Sequence, residues 1–521
     1  MNNLYSLTQI REIEHAAAAN LPAGTLMQRA GLAATRLALE LLPVPHGHAR
    51  VLVLAGPGNN GGDALETAHR LSLSGVQVSV LLIKPPATKD AEAACERAQN
   101  SPLQFLDPQL AQESGSHHTS IITSTRWHLV IDGLFGIGLI RPLTGSLRNL
   151  VETINRFHCP VLALDVPSGL DADTGNVVGG QQEPGNGHPG IAIRASHTIT
   201  FIGDKPGLHT CDGRDSAGKV QVAKLDIDHH HFMPSHTWLN DLALFSRLLH
   251  HRPHNSHKGT YGNVAVIGGA HGMAGALILA ARAALFCGAG RVYAGFISHA
   301  PAYDCVQPEL MCRQAHEIDF VNATLLVGPG LGSSDSAIEL CQQALASTSA
   351  LVLDADALNL LACDESLQSA LGQHHHARIL TPHPLEAARL LACTVAEVQL
   401  DRLRAARTLA AKFHCTVILK GSGSVIAGSH DKAVINTTGN PALASAGTGD
   451  VLAGVCASLL AQGWPEWEAA LAATWLHGSA ADMLVEQGIG PIGLSASELV
   501  QSIRTAFNLL VTEYAQARMA H

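Results

Sequence analysis

The sequence predicts two α/β domains, each built on an open sheet of mainly parallel strands covered by helices. Three observations carry that prediction. Residues 50–83, RVLVLAGPGNNGGDALETAHRLSLSGVQVSVLLI, read as strand, glycine-rich loop, helix and strand. A second segment with the same order, NVAVIGGAHGMAGALILAARAALFCGAGRVYAG, begins at Asn263. At 521 residues the chain is too long for one ordinary core, so more than one domain is expected. A parallel strand pair joined by a crossover helix implies an open sheet, with ligands at the carboxyl ends of the strands.

Composition narrows the class. Hydrophobic residues make up 46% of the chain and aromatics only 4%, so the cores must be aliphatic and alanine-rich. A net charge of −10, from 33 basic and 43 acidic residues, argues against a nucleic acid or a membrane surface as partner. The opening MNNLYSLTQIREIEHAA has no basic stretch followed by an apolar core, so no secretory signal is expected. No apolar run reaches membrane-spanning length, and LILAARAALF is broken by Arg282. The 11 cysteines include no CxxC pair. That usage favours reduced thiols, and a cytoplasmic location is expected. Thirty histidines include runs at His229–His231, His250–His251 and His374–His376. They are adjacent residues without cysteine or carboxylate partners at zinc spacing, so they read as solvated loop histidines.

In the first half, residues 6–20 and 25–42 read as helices, the second stopped by Pro43. The loop Gly56-Pro57-Gly58-Asn59-Asn60-Gly61-Gly62-Asp63 departs from the GxGxxG dinucleotide pattern by placing two asparagines in it. A carboxamide presents an oxygen and an NH₂ together, so it can ligate a cation or hold a ligand hydroxyl. Asp63 is expected to open the following helix, where the dipole favours a carboxylate. HLVIDGLFGIGLIRPLTG places Asp132 at a strand's carboxyl end, and PVLALDVPSGLDADTG places Asp165 at another, followed by Ser168. Such ends converge on one crevice. Asn60, Asp132 and Ser168 would then form an oxygen site of low charge, suited to an undemanding cation. Asp165 is the natural general acid/base. HTITFIGDKPGL and KVQVAKLDI read as the last strands, and the irregular interval 228–256 is expected to link the domains.

In the second half the strand NVAVIGG leads through the loop Gly268–Gly275 to a helix from about Ala274 to Cys287. TLLVGPGLGSS and LVLDADALNLL give further strand ends, the latter carrying Asp354 and Asp356. His383 is held between prolines at another strand end, a place for a contact. TVILKGSGSVIAG reads as a hairpin turned at Lys420–Ser424, where a lysine and backbone N–H groups can meet a nucleotide phosphate. Then comes Gly447-Thr448-Gly449-Asp450, ahead of the apolar run VLAGVCASLLAQG. Glycines at a helix start let the backbone approach an anion, and the free N–H groups of the first turn point at it. A carboxylate in that turn suits the removal of a proton from a hydroxyl receiving a phosphoryl group.

Two resemblances follow. LMQRAG, GPGNNGGD, DGLFGIG and LDVPSGLDADTG, within residues 1–227, resemble the motifs of the NAD(P)H-hydrate epimerase family. The resemblance implies a Rossmann-like three-layer αβα domain that interconverts the R and S forms of hydrated NADH and NADPH. It implies potassium at Asn60, Asp132 and Ser168. Substrate contacts would come from Asn59, Asn60, Gly61, Gly62, Asp63, from Gly136, Ile137, Gly138, Leu139, Ile140, Arg141 and Pro142, and from Asp165. Ala64 stands where the family continues Asp-Gly.

KGTYG, GGAHGMAGA, GPGLG, LDADAL, TPHPLE, LKG and NPALASAGTGD, within residues 257–521, are similar to the ADP-dependent NAD(P)H-hydrate dehydratase family. This implies a ribokinase-like domain in which Lys420, Gly421, Ser422, Gly423, Ser424 and Gly449 contact the nucleotide. Leu277, Gly332 and His383 would contact the hydrated cofactor, and Asp450 its reacting hydroxyl. Leu385 departs from the family's glycine. Magnesium is expected, held mainly through phosphates and water. The whole is expected to be a homo-oligomeric bifunctional repair enzyme. The GTGD stretch alone would also fit a small-molecule kinase consuming ATP, and a sensing or partner-binding front half would lack Asp165 or the Asn-Asn loop, both of which are present.

Overall fold

The computed structural model describes residues 2–107, 120–180, 189–228, 232 and 234–519. It divides into two compact units, Asn3–Thr237 on one side and Trp238–His521 with Met1–Asn2 on the other. The division falls inside the interval 228–256. From Trp238 onward that interval packs on the second unit: Phe245 is fully buried in its core, and Asn240 donates to Asn436 Oδ1 at 2.9 Å. His229–His231 lie outside the described residues.

The first unit is a seven-stranded sheet of order β3-β2-β1-β4-β5-β6-β7. Its strands are β1 (Arg50–Ala55), β2 (Gln77–Leu82), β3 (Gln104–Leu106), β4 (Leu129–Gly133), β5 (Val161–Leu164), β6 (His197–Phe201) and β7 (Lys219–Ala223). Every pairing is parallel. β1 and β4 are neighbours at the point where strand order reverses, the place where open sheets leave a crevice. The strands there are continuous Val, Leu and Ile runs, as a sheet covered on both faces requires. Helices Leu7–Ala18 and Thr25–Leu41 appear where the sequence places them. The first is opened by a reciprocal cap between Ser6 and Gln9.

One boundary differs. The helix after β1 spans Asn59–Leu73, so Asp63 lies a full turn inside it rather than opening it. Glycine is a poor helix former, yet Gly61 and Gly62 are helical because close packing demands them. A methyl on Gly61 would lie 1.8 Å from the Gly56 carbonyl oxygen, and one on Gly62 would lie 2.4 Å from Met27 Cε.

The second unit carries a ten-stranded mixed sheet of order β11-β10-β9-β12-β13-β14-β15-β16-β17-β8. These are β8 (Thr237–Leu239), β9 (Asn263–Gly268), β10 (Arg291–Phe296), β11 (Met311–Gln314), β12 (Thr324–Val327), β13 (Leu351–Leu353), β14 (Arg378–Leu380), β15 (Thr416–Leu419), β16 (Val425–Ala427) and β17 (Ala433–Ile435). From β11 to β15 the pairings are parallel; β15, β16 and β17 form an antiparallel meander. Leu419 pairs with Val425, so the hairpin turns at Lys420–Ser424 as the sequence predicts. Helices Ala274–Phe286 and Thr448–Ala461 pack closely over this sheet, with Gly454 against the backbone of Ala280. No helix among the described residues is long and apolar enough to cross a membrane.

The histidine runs divide. His250 and His251 are exposed. His374 is not the solvated histidine expected of it: it is buried, with Nδ1 3.1 Å from the Leu345 carbonyl and Nε2 2.9 Å from that of Ser349. The ring ties the last turn of helix Asp335–Ala346 to the segment that follows it; burial favours its neutral form, whose single N–H donates to one of the two carbonyls.

Candidate active sites

In the first unit the loops after β1, β4 and β5 meet. Asp132, the fourth residue of β4, is fully buried. The Ser168 backbone N–H donates to its Oδ2 at 2.8 Å, and the Ser168 hydroxyl donates to its Oδ1 at 2.7 Å. Burial pushes the Asp132 carboxyl up to about 6, against the pull of those bonds. The Asn60 carboxamide is buried with neither its Nδ2 nor its Oδ1 partnered. Its backbone abuts Gly133, the residue after Asp132: a methyl there would lie 2.8 Å from the Asn60 carbonyl oxygen. A buried polar group without a partner is costly. An orphaned carboxamide oxygen, a carboxylate and a hydroxyl are a donor set that fits a potassium-like cation.

Asp165 follows β5 and adopts φ 66°, the left-handed region that aspartate and asparagine tolerate better than most side chains. Its Oδ1 accepts from Lys205 Nζ at 2.8 Å and from the Phe201 N–H at 3.3 Å. Its Oδ2 faces Gly136, where a methyl would come within 3.3 Å of it and equally of Asn60 Cγ. A cavity of about 550 Å³ opens here, lined by Glu14, Asn59, Asn60, Asp63, Gly136, Ile137, Gly138, Leu139 and Asp165 among others. The other expected contacts stand apart from the lining. Gly61 and Gly62 serve close packing, Ile140 is largely exposed, and Pro142 packs on Gly179; Arg141 is exposed. Two carboxyls in the lining are raised: burial first, and next the charge of Asp165, push up both Glu14 and Asp63.

In the second unit the corresponding strand ends converge on the tip of helix Thr448–Ala461. Gly447 caps it at φ 87°, and Asp450 lies in its first turn. Burial, then the nearby charge of Asp354, pushes the Asp450 carboxyl up to about 7, against the pull of Lys420. Lys420 leaves β15 and passes over Gly449, where a methyl would meet its Nζ at 3.2 Å. The same Nζ donates to Asp354 Oδ1 at 2.7 Å, and the Thr381 hydroxyl donates to that oxygen at 2.8 Å. Gly332 donates its N–H to Asp356 Oδ2 at 2.8 Å.

His383 caps helix Pro384–Leu391. Its Nδ1 accepts from the backbone N–H groups of Leu385 and Glu386 at 3.1 and 3.3 Å. Glu386 returns the bond to the His383 N–H at 2.7 Å, and burial raises its carboxyl to about 7. Behind the turn of Gly421, Ser422, Gly423 and Ser424 lies buried Arg402, whose Nη2 donates to the carbonyls of Leu419 and Lys420. Leu277 is a correction to the expected ligand contacts: its side chain is fully buried in the core beneath Gly269, so it supports that loop from below. Among the described residues no group of three or more His, Cys, Asp and Glu is arranged to hold a metal.

Comparison with known proteins follows the same division. A family described as YjeF-related protein N-terminus matches residues 23–207, and one described as NAD(P)H-hydrate dehydratase matches residues 264–504. The bifunctional NAD(P)H-hydrate repair enzyme Nnr of Coxiella burnetii is 36% identical over 524 residues, covering 98% of this chain and 100% of that protein. This chain belongs to the bifunctional NAD(P)H-hydrate repair enzymes. Nnr of Escherichia coli K12 is 35% identical over 94% of this chain and 90% of its own length. Among solved structures, the ADP/ATP-dependent NAD(P)H-hydrate dehydratase of Bacillus subtilis, co-crystallized with ATP/Mg2+, is 28% identical with a TM-score of 0.43. It covers 50% of this chain and 94% of that one.

Within this repair-enzyme family member, several groups at the sites escaped sequence reasoning. Lys205 and Glu14 carry no motif of their own, and Glu386 lies inside the TPHPLE stretch without having been singled out. Asp354 was visible as a strand-end aspartate, without its lysine partner. His477, on helix Glu466–Glu486, donates from Nε2 to the Thr448 carbonyl at 2.8 Å, and burial lowers it to about 4. The signal that could have found Lys205 is its place in HTITFIGDKPGL, a lone cation just beyond a strand end.

Proposed function

We infer that this chain repairs hydrated nicotinamide cofactors. Its first unit interconverts the R and S hydrates, and its second dehydrates the S form while converting ADP to AMP and phosphate. The observation supporting this most strongly is coverage: a bifunctional repair enzyme aligns over its whole length with 98% of this chain.

In the first unit, the hydrate's ring nitrogen can expel the hydroxyl on the adjacent carbon, and readdition from the other face inverts that centre. Asp165 gives the departing hydroxyl a proton and takes one back when water returns, through the oxygen that faces Gly136. Asn60, Asp132 and Ser168 would hold potassium, whose charge would fix the loops that frame the substrate. Asn59, Asp63 and the Gly136–Leu139 loop line the same cavity and are assigned to substrate contact.

In the second unit, Asp450 takes the proton of the hydrate's hydroxyl as its oxygen bonds to the terminal phosphorus of ADP and AMP leaves. The backbone N–H groups at Gly449 and the Lys420 ammonium spread the charge on the transferring phosphoryl. The ring nitrogen then expels phosphate, and loss of a proton from the neighbouring carbon restores the dihydronicotinamide. Gly332 and His383 are assigned to the hydrated cofactor, and the Lys420–Ser424 turn to the nucleotide. Magnesium would arrive with the phosphates, since the described residues form no cage for it.

The test uses purified protein, separated R and S hydrates of NADH, and ADP or ATP. Recovery of NADH absorbance from the S form with ADP is expected, together with R-to-S conversion without nucleotide. Asp450→Asn should keep the conversion and lose the recovery, and Asp165→Asn the reverse. Rapid dehydration by Asp450→Asn would remove Asp450 as the base. A kinase reading would win if ATP were consumed with an alcohol while the S hydrate persisted.

A further inference from the structure

Lys205 is fully buried, and it does not line the cavity of the first unit. Burying an ammonium is costly unless partners surround it. Here they do. Nζ lies 2.8 Å from Asp165 Oδ1, 2.7 Å from Thr200 Oγ1, 3.1 Å from the Phe201 carbonyl and 3.2 Å from the Gly203 carbonyl. The one charged partner is the carboxylate assigned above to proton exchange. It is held by one oxygen only, and its other oxygen faces Gly136 and the cavity.

Four carboxyls line this cavity: Asp165 after β5, Glu14 on helix Leu7–Ala18, Asp63 on helix Asn59–Leu73 and Asp90 on helix Lys89–Gln99. Lys205 and then Arg11 act on Glu14 as charges that lower it, and Glu14 and Glu66 act on Asp63. Of the four, Lys205 Nζ hydrogen-bonds Asp165 alone.

We propose that Lys205 is a positioning residue for epimerisation: it clamps Oδ1 of Asp165 from behind the cavity wall, so that Oδ2 alone meets the hydrate. The clamp does two things. It fixes the rotation of a carboxylate standing on a left-handed backbone, and it supplies the counter-charge when Asp165 has given up its proton. Glu14 and Asp63 are both raised, by burial first and then by the charge on Asp165. Misplacing a catalytic group by a fraction of an ångström to an ångström costs up to about a hundredfold in rate.

The inference rests on Asp165 being the proton-exchanging group, and its test separates the two. The full chain is given the purified R hydrate of NADH without ADP, and S formation is followed by chromatography across pH. Lys205→Met is expected to lower kcat by about tenfold or more with KM within about threefold. The pH at which the rate falls away, as Asp165 loses the proton it gives, should move upward. Dehydration of the S hydrate with ADP, carried by the other unit, should be unchanged. Lys205→Gln keeps a hydrogen-bond donor without the charge; it should recover part of kcat and still show the moved inflection. If Lys205→Met fails to fold, Lys205→Gln carries the test.

A folded variant with unmoved kcat and inflection, alongside an inactive Asp165→Asn, would overturn the role of Lys205 and leave it a prop for the Phe201–Gly203 turn. Rapid conversion by Asp165→Asn would instead overturn the assignment of Asp165.

Discussion

As the proposed base, Asp450 has to lose its proton before it can accept one. Burial and Asp354 hold its carboxyl up to about 7, so near neutrality only part of the free protein is ready. The ionised fraction grows with pH. Accordingly, kcat/KM for dehydration of the S hydrate should climb roughly tenfold per pH unit below about 7 and flatten above it. Asp354→Asn removes the nearest like charge and frees Lys420, and both changes should move that inflection down. An inflection that stays put in Asp354→Asn would point to a base other than Asp450. His477 makes a second pH prediction, on stability. Its folded value is depressed to about 4 from an ordinary 6.5. Above 6.5 neither state is protonated there and it has no effect. As pH falls from 6.5 towards 4 the unfolded chain takes the proton more readily, so up to about 3 kcal/mol is lost across that window. Urea unfolding of His477→Gln, which keeps a donor to Thr448, should show a shallower acid loss than the parent. At this scale the sequence made the GTGD aspartate and the strand-end aspartates legible, because glycines and strand periodicity mark such places locally. Lys205 was not legible, since its partner lies 40 positions away and only the β5–β6 pairing brings them together.

At the scale of elements, close packing decides where glycine sits. A methyl on Gly454 would lie 2.2 Å from the Ala280 carbonyl oxygen, in the seam between helices Thr448–Ala461 and Ala274–Phe286. Gly454→Val should therefore push these helices apart and cost roughly 3 kcal/mol. A lower urea midpoint together with lost dehydration, while epimerisation survives, is the expected result. The same reasoning explains the one misplaced helix start. Asn-Asn-Gly-Gly reads as a loop by propensity, yet Gly61 and Gly62 are helical because the helix presses on Gly56 and Met27. Local preference is visible in a sequence, whereas a backbone approach of that kind is not. The strand β8 was unreadable for another reason: three residues in an irregular, histidine- and proline-containing interval carry no period, and their pairing lies in the second sheet.

On the scale of the whole molecule, the residues lining the first cavity all come from Asn3–Thr237, and those around Asp450 come from Trp238–His521. An equal mixture of Asp165→Asn and Asp450→Asn proteins should then repair the R hydrate with ADP, the S form passing through solution. Failure of the mixture, with each variant folded and active in its remaining step, would mean that the S hydrate is not released. The two-domain α/β plan was legible from the paired strand–loop–helix segments, because each is a contiguous run of one chain. The exact place where one unit ends was not, as Trp238 and Phe245 look like loop residues until the core that receives them is known. Two catalysts on one polypeptide are also made in equal copy number, so expression cannot favour one over the other. Any imbalance between the two halves of repair would have to be met by substitution within one of the units, and an impaired front half would reveal itself as a pool of unconverted R hydrate.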